Sequence, residues 1–337
     1  MAGAETGGAE TFFVDLVLAL HRAGLEQRIV IRRNSARAAT LAAAGLTVDQ
    51  LRFGRLFDFS TRGALAGIAR GFRPTIVQSW MTRAASFTGN GPYVRVGWLG
   101  GYYPPKGFRG SDHVVGVTAD IARHLVEGGF PPARAHYLPT FAAIGTAPAV
   151  PRASINTPEG VPLVLALGRL HQKKGFDVLL AALAEVPGVW LWLAGEGELR
   201  GALEGQAARL GLADRVRFLG WRTDRAALLA ACDVCVMPSR YEPFGTVMIE
   251  AWAAARPLIA AAAAGPKGLV RNEVDALLVP VDDTAALAAA LRRMVTDRGL
   301  AGRLASAGRA VYEQRFTEGA VVRQYLEFYR SIAPGAA

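Results

Sequence analysis

The chain has 337 residues, 51% of them hydrophobic and 20% charged, with a formal net charge of +10. That length exceeds one ordinary core and suits two domains, and the apolar content excludes a disordered chain. Apolar runs such as Val161 to Leu167 are too short to cross a bilayer, and the first residues lack the basic, apolar, small-residue succession of a signal peptide, so a cytoplasmic protein is expected.

The charge is uneven. Residues 1–150 carry 16 Lys plus Arg against 9 acids, and residues 151–337 carry 22 against 19. The run His21, Arg22, Arg28, Arg32, Arg33 and Arg37 either attracts anionic lipid head groups or a phosphorylated acceptor, as a peripheral protein at an inner membrane would, or is a solvated arginine-rich face. Nucleic acid is not expected as a partner, because no recognition motif is present and aromatic residues do not interleave with the basic ones.

In chain order, a glycine pair, Gly7-Gly8, opens a helix over Ala9 to Ala23. Strands are expected at Arg28 to Ile31, Thr75 to Ser79, Val94 to Trp98 and His113 to Val117, with helices between several of them. This reads as a doubly wound α/β domain over residues 1–150. Such a domain opens with a buried strand, yet Met1 to Thr6 is too short and too polar to be one. Either the true start lies upstream or the domain lacks a central strand; a missing strand would leave two rows of backbone groups unpaired, which favours an upstream start.

The Pro-, Ala-, Ser- and Thr-rich stretch Thr146 to Pro162 has the turn signals of a linker. Beyond it, apolar runs alternate with amphipathic ones. Strands are expected at Val161 to Leu167, Val189 to Ala194, Val216 to Leu219, Val234 to Met237 and Pro257 to Ala261. Helices are expected at Phe176 to Glu185, Leu199 to Leu210, Arg225 to Ala231 and Val247 to Ala255. This is a second doubly wound domain over residues 151–311, followed by terminal helices up to Ile332.

Cys232 and Cys235 match Cys-x-x-Cys, but no second pair completes a zinc site, and the segment reads as a helix end entering a buried strand. They are expected in the core. Asp282-Asp283 reads as a cap for a helix over Thr284 to Met294.

Two features carry chemistry. The strand ending at Leu167 runs into Gly168-Arg169-Leu170-His171-Gln172-Lys173-Lys174-Gly175, a loop whose cations Arg169 and Lys174 can clasp a diphosphate, the first by a fork and the second as a point charge. Later, Pro238-Ser239-Arg240-Tyr241-Glu242-Pro243-Phe244-Gly245-Thr246 leads to Glu250, eight positions past Glu242 and about two helical turns on. One carboxylate can accept from sugar hydroxyls and the other from ribose hydroxyls, with helix-start amides facing the phosphates between. Solvated surface groups are the alternative for each.

The second string resembles the Pro-Ser-x-x-Glu-Pro-Phe-Gly-x-x-x-x-Glu-Ala signature of glycosyltransferase family 4, and the first resembles that family's Gly-Arg-Leu-x-x-x-Lys-Gly element. Ala194-Gly195-Glu196-Gly197 and Phe218-Leu219-Gly220-Trp221-Arg222 are similar to its Ala-Gly-x-Gly and Phe-x-Gly segments, and Gly7-Gly8-Ala9-Glu10 to its Gly-Gly-Ala-Glu. The resemblance implies two Rossmann-like domains facing across a cleft, the architecture called GT-B, with the helix of residues 312–337 crossing back to the first domain. It implies retaining transfer of a hexosyl unit from a nucleoside-diphosphate sugar to a cell-surface glycan or glycolipid acceptor such as lipopolysaccharide core. Arg169, Lys174 and Glu242 would be catalytic. Gly7, Gly8, Gly168, Gly195, Leu219, Arg222, Phe244, Gly245, Thr246 and Glu250 would bind the donor.

Arg83, Tyr102 and Lys106 follow strands and are the candidates for acceptor recognition. No Asp-x-Asp element follows a strand, so no metal or other cofactor is expected, with Arg169 and Lys174 in the metal's place. The chain departs from the family in having Gly265-Pro266-Lys267-Gly268 where Gly-Gly-x-x-Glu is usual, alanines at Ala255 and Ala276 where glycines are common, and no histidine in Gly100 to Tyr103. No side-chain base is therefore assigned. The rival readings are a nucleotide-sugar-binding protein without turnover and a nucleotide-sugar epimerase on the same fold.

Overall fold

The computed structural model describes residues 1–5, 7–54 and 58–333. It divides into two compact units, Met1–Phe141 with Glu318–Ala337, and Ala142–Thr317. The sequence-based limits of 150 and 311 lie close to these divisions.

In the first unit Gly8–Arg22 (α1) precedes Arg28–Arg32 (β1), Ser35–Ala43 (α2), Thr47–Leu51 (β2) and Phe59–Phe72 (α3). Then come Ile76–Trp80 (β3), Met81–Phe87 (α4), Val94–Leu99 (β4), His113–Gly116 (β5), Ala119–Glu127 (α5) and Ala135–Tyr137 (β6). The strands form two separate parallel sheets, β1-β2 and β3-β4-β5-β6. Met1 to Glu5 form no strand. Met1 nevertheless is buried and makes one parallel bridge, its amino group donating to the Val30 carbonyl at 2.8 Å and its carbonyl accepting from the Arg32 amide at 2.9 Å.

The second unit runs through Leu163–Leu167 (β7), Phe176–Ala184 (α6), Trp190–Ala194 (β8), Arg200–Arg209 (α7), Val216–Gly220 (β9), Arg225–Ala231 (α8) and Val234–Met237 (β10). Thr246–Ala253 (α9), Leu258–Ala261 (β11), Ala264–Leu269 (α10), Leu277–Val279 (β12), Thr284–Thr296 (α11) and Arg298–Arg315 (α12) complete it. Its single six-stranded parallel sheet has the order β12-β11-β10-β7-β8-β9. β7, Leu-Val-Leu-Ala-Leu, is buried at every residue because it is paired on both edges and covered on both faces. Cys232 and Cys235 are buried free thiols, and burial pushes the Cys232 thiol up to about 12, so both are inert core residues. The Asp283 carboxylate accepts from the Ala286 amide at 2.8 Å and caps α11.

The last helix, Glu318–Ile332 (α13), belongs to the first unit. It is fixed there by two tyrosines: Trp98 Nε1 donates to Tyr325 Oη at 3.0 Å, and Tyr329 Oη donates to Gln78 Oε1 at 2.8 Å. No helix among the described residues is long and apolar enough to cross a membrane.

The basic run does not form one free cationic face. Arg22 pairs with Glu318 at 2.6 Å, Arg28 with Asp49 at 2.6 Å, and Arg37 is buried with its guanidinium donating to the Ala4 and Glu5 carbonyls. Neighbouring strand and helix ends supply acceptors that a linear reading of the arginines misses. Arg32 and Arg33 are the exposed remainder.

Candidate donor site in the second unit

The sheet order places β7 and β10 side by side with later strands running outward on either hand, so the chain reverses its direction of winding between them. Ligands of open α/β sheets lie outside the carboxyl ends of strands at that reversal. The segments after β7, β8 and β10 are those that carry the sequence motifs.

After β7 and β8 the backbone stays tightly apposed. The Gly168 amide donates to the Ala194 carbonyl at 3.0 Å and the Leu170 amide to the Glu196 carbonyl at 2.9 Å. Gly195, at φ 157°, packs so closely that a Cβ there would lie 1.8 Å from the Gly168 oxygen. Only glycine fits. Gly175 is needed for the same reason, with φ 65° and the Pro238 oxygen 2.1 Å from where its Cβ would lie.

The loop after β10 is strapped to the loop after β7. Arg240 and Tyr241 amides donate to the Lys173 carbonyl at 2.9 and 3.1 Å. The Arg240 guanidinium pairs with Asp177 at 2.7 Å and Asp282 at 2.6 Å. These partners raise the Arg240 pKa still further, and the same guanidinium holds Asp177 below the ordinary carboxylate range despite its burial. Asp282 is thus a partner of Arg240, while Asp283 alone caps the helix.

Across this strap Lys174 Nζ donates to Glu242 Oε2 at 2.6 Å, and both side chains are largely buried. The Pro-Phe-Gly turn that follows is anchored by Phe244, buried edge-on against Phe316 at a ring separation of 6.1 Å. Its carbonyls are fixed by Gly265, whose amide donates to the Glu242 oxygen at 2.8 Å and whose Cβ, if present, would lie 2.4 Å from the Phe244 oxygen. The departure Gly265-Pro266 from the expected glycine pair therefore keeps the one glycine that packing requires. Gly245, at φ 106°, starts α9 without a capping side chain, leaving the amides at the Thr246 end free to meet an anion.

Glu250, one face further along α9, is 2% exposed. Arg225 Nη1, from the start of α8, donates to its Oε1, and Oε2 has no partner. Burial raises the Glu250 pKa to about 7, with the Arg225 charge and hydrogen bond opposing that rise. Arg169 is exposed; its carbonyl accepts from the His171 amide at 2.8 Å, and its guanidinium makes no hydrogen bond or ion pair among the described residues. Arg222 is turned onto Asp224 at 2.7 Å, beside Leu219 and next to Trp221, which is 73% exposed. The structure thus gathers Gly168, Gly195, Lys174, Glu242, Phe244, Gly245 and Thr246 into one strapped cluster of loops. Glu250 lies on the helix that leaves it. Arg225 and Arg240 were missed by sequence reasoning, because Arg225 stands in no motif, Arg240 fills a variable position of one, and each acquires its role from partners distant in sequence.

The remaining candidates lie in the first unit. Gly7 precedes α1, and a Cβ there would lie 2.4 Å from Glu10 Oε2; Glu10 is buried and its Oε1 accepts from the Ala4 amide at 2.7 Å. Gly8 has open space around it. Arg83 is exposed on α4 and Lys106 is exposed on the turn Pro105–Phe108. The Tyr102 hydroxyl donates to Asp120 Oδ2, and its ring meets His124 at 5.5 Å. Among the described residues no group of three or more His, Cys, Asp or Glu could hold a metal ion.

Residues 161–297 match the model of the family described as Glycosyl transferases group 1. The lipopolysaccharide core biosynthesis glycosyltransferase LpsD of Rhizobium meliloti (strain 1021) is 37% identical over 327 residues, 96% of this chain and 95% of its own. LpsE of the same strain is 35% identical over 329 residues, 96% of each chain. Among solved structures, that of Anabaena Alr3699/HepE in complex with UDP superposes with a TM-score of 0.87 at 22% identity, over 98% of each chain. The 37% identity to LpsD over nearly the whole chain, the family match and the two parallel α/β units together make this chain a member of the group 1 glycosyltransferases, with the GT-B fold.

Proposed function

We propose that the chain transfers a hexosyl unit, with retention of anomeric configuration, from a nucleoside-diphosphate sugar to a lipopolysaccharide-core-type glycan. The observation that carries this reading is the Lys174–Glu242 ion pair, which joins the loops after β7 and β10 at the point where the sheet reverses its winding. There Arg169 and Lys174 neutralise the diphosphate and the charge that grows on it as it departs, and the free amides at the start of α9 add their dipoles. Glu242, released from Lys174 as that cation turns to phosphate, accepts hydrogen bonds from donor-sugar hydroxyls. Glu250 accepts from ribose hydroxyls, which satisfy its unpartnered oxygen. Trp221 and the Leu219 to Arg222 segment offer an apolar face for the base.

No side chain of the site is assigned as base. In this reading the leaving diphosphate takes the acceptor proton on the face it departs from, so retention follows from geometry, and no divalent ion is needed. Arg83, Tyr102 and Lys106 bind the acceptor, and catalysis takes place in the cytoplasm. The acceptor class is supported by the similarity to LpsD and LpsE, and the donor class by HepE, whose structure holds UDP.

The test is to incubate the protein with UDP-hexoses and truncated core oligosaccharide, with and without EDTA, and read the product's anomeric configuration by NMR. Transfer with retained configuration and no EDTA sensitivity is expected. Inversion, or loss of transfer in EDTA, would overturn the mechanism.

A further inference from the structure

Glu250 is 2% exposed on α9, and burial of that order neutralises a carboxyl unless a partner holds its charge. Among the described residues one cation reaches it. Arg225 Nη1 donates to Oε1, from a side chain that is itself 45% exposed, while Oε2 is buried without a partner. We propose that Arg225 is a positioning residue: by holding Oε1 it keeps Glu250 charged and leaves Oε2 as the acceptor for the nucleotide's ribose. This rests on the nucleotide reading given above and adds to it the group on which that carboxylate depends.

The surroundings of Arg225 assign it that task. It is the first residue of α8, where a cation opposes the helix dipole rather than favouring it, so the helix does not account for its place. Asp224, the acid beside it in sequence, is already taken, since the Arg222 guanidinium donates to both its oxygens at 2.7 and 2.5 Å. No other charge stands in for Arg225. Among the elements packed against α9 besides α8, β11 brings no ionisable side chain and β10 brings the Cys235 thiol, which burial keeps neutral. From α12, Arg309 and Tyr312 donate to the Ala253 and Ala142 carbonyls. Beyond Trp252, the Asp275 carboxylate is paired with Arg271 at 3.0 Å.

The consequence is a pH dependence of defined sign. Burial raises the Glu250 pKa to about 7, and the charge and hydrogen bond of Arg225 oppose that rise. Removing the guanidinium leaves burial alone, so the value climbs further. At neutral pH more of the protein then carries the protonated acid, a weaker acceptor for ribose hydroxyls than the carboxylate. Affinity lost in this way returns when pH is raised past the new value. Affinity lost because Arg225 itself touches the nucleotide does not.

The test titrates the Glu250 carboxyl by carbon-13 NMR in the nucleotide-free protein, its signal assigned by Glu250→Gln. It then measures the affinity of whichever of UDP, GDP and ADP binds the native chain. In Arg225→Ala the carboxyl midpoint should rise by at least about one pH unit, and Arg225→Lys, which keeps the charge, should restore most of that difference. Nucleotide affinity in Arg225→Ala should be about fivefold lower at pH 7 and within about twofold of the native value at pH 9. If the alanine form does not fold, Arg225→Gln takes its place with the same signs expected. An unmoved carboxyl midpoint, or a loss of affinity equal at both pH values, would overturn the role given to Arg225. A native chain that binds none of the three nucleotides would overturn instead the reading on which that role rests, and this is read before any variant is made.

Discussion

The two units are both parallel α/β sheets, but they differ at the strand where the winding reverses. In the second, β7 occupies that position, paired on one edge to β8 and on the other to β10. In the first, β1 and β3 belong to separate sheets, and the segment entering α1 meets β1 through the bridge at Met1. The consequence is felt in the loops. Those after β7, β8 and β10 are strapped by backbone hydrogen bonds and by Arg240, so Lys174 and Glu242 are held against each other. The Gly7-Gly8 loop rests instead on the Glu10 carboxylate and on the Arg37 guanidinium. Backbone pairing thus fixes the glycine-rich loops of the second unit, whereas side chains fix the segment before α1 in the first.

That contrast can be broken first at its glycines. Gly195→Val should destabilise the second unit by at least ~3 kcal/mol, since it drives a branched side chain into the Gly168 backbone, whose oxygen lies 1.8 Å from the Cβ position. Gly8→Ala, with open space around it, should shift stability by no more than ~0.5 kcal/mol. Denaturant midpoints measure both, and equal effects would remove the distinction between the loops.

Lys174→Ala should lower turnover by ~10²-fold or more, because it removes a charge from the departing diphosphate and leaves Glu242 buried without its partner. Arg169→Ala, at an exposed cation, should cost about tenfold. Single-turnover rates at saturating donor measure both, and a silent Arg169→Ala would return that side chain to the role of a solvated surface group.

Glu250 sharpens the comparison through pH. Its folded pKa, about 7, lies above its unfolded value, so between roughly pH 4.5 and 7 the folded state holds a proton that the unfolded state has lost. Its contribution to stability therefore falls as pH rises through that window. Ribose hydroxyls favour the ionised form, so nucleotide affinity should rise as pH passes through about 7. In Glu250→Gln both trends should flatten, as read from unfolding midpoints and nucleotide titrations at pH 5.5 and 8.

The smallest effect concerns the end of α9. Ala255 adopts φ 49°, with the Arg256 amide donating to the Ala251 carbonyl and the Ala255 amide to that of Trp252, the arrangement that glycine fills best. Ala255→Gly should stabilise the unit by ~0.5–1 kcal/mol. A loss of stability in denaturant titrations would contradict this account of the helix end.

These particulars show where the sequence was legible. β7, β8 and β10 could be read because strands buried on both faces are continuous apolar runs. β2 could not, since Thr-Val-Asp-Gln-Leu lies at a sheet edge, half exposed, and its polar residues hide the pattern. α10 contains two glycines and a proline in six residues, and β12 has only three residues, too few to show a period. Of the site, the glycines and the two glutamates were legible from their motif. The pairing of Arg225 with Glu250 and the Arg240 clamp were not, because the partners lie 25 and 63 positions apart and meet only once the sheet is ordered. Tyr102 was legible as a residue following a strand, but its hydrogen bond to Asp120 depends on where α5 begins.

The central claim is that the second unit binds a nucleoside diphosphate at the reversal between β7 and β10. Calorimetric titration of the folded protein with UDP, GDP and ADP tests it most directly, with Glu250→Ala as the control. The account predicts micromolar binding of one nucleotide, weakened at least about tenfold in the variant. Failure of all three to bind, or equal affinity in Glu250→Ala, would contradict it.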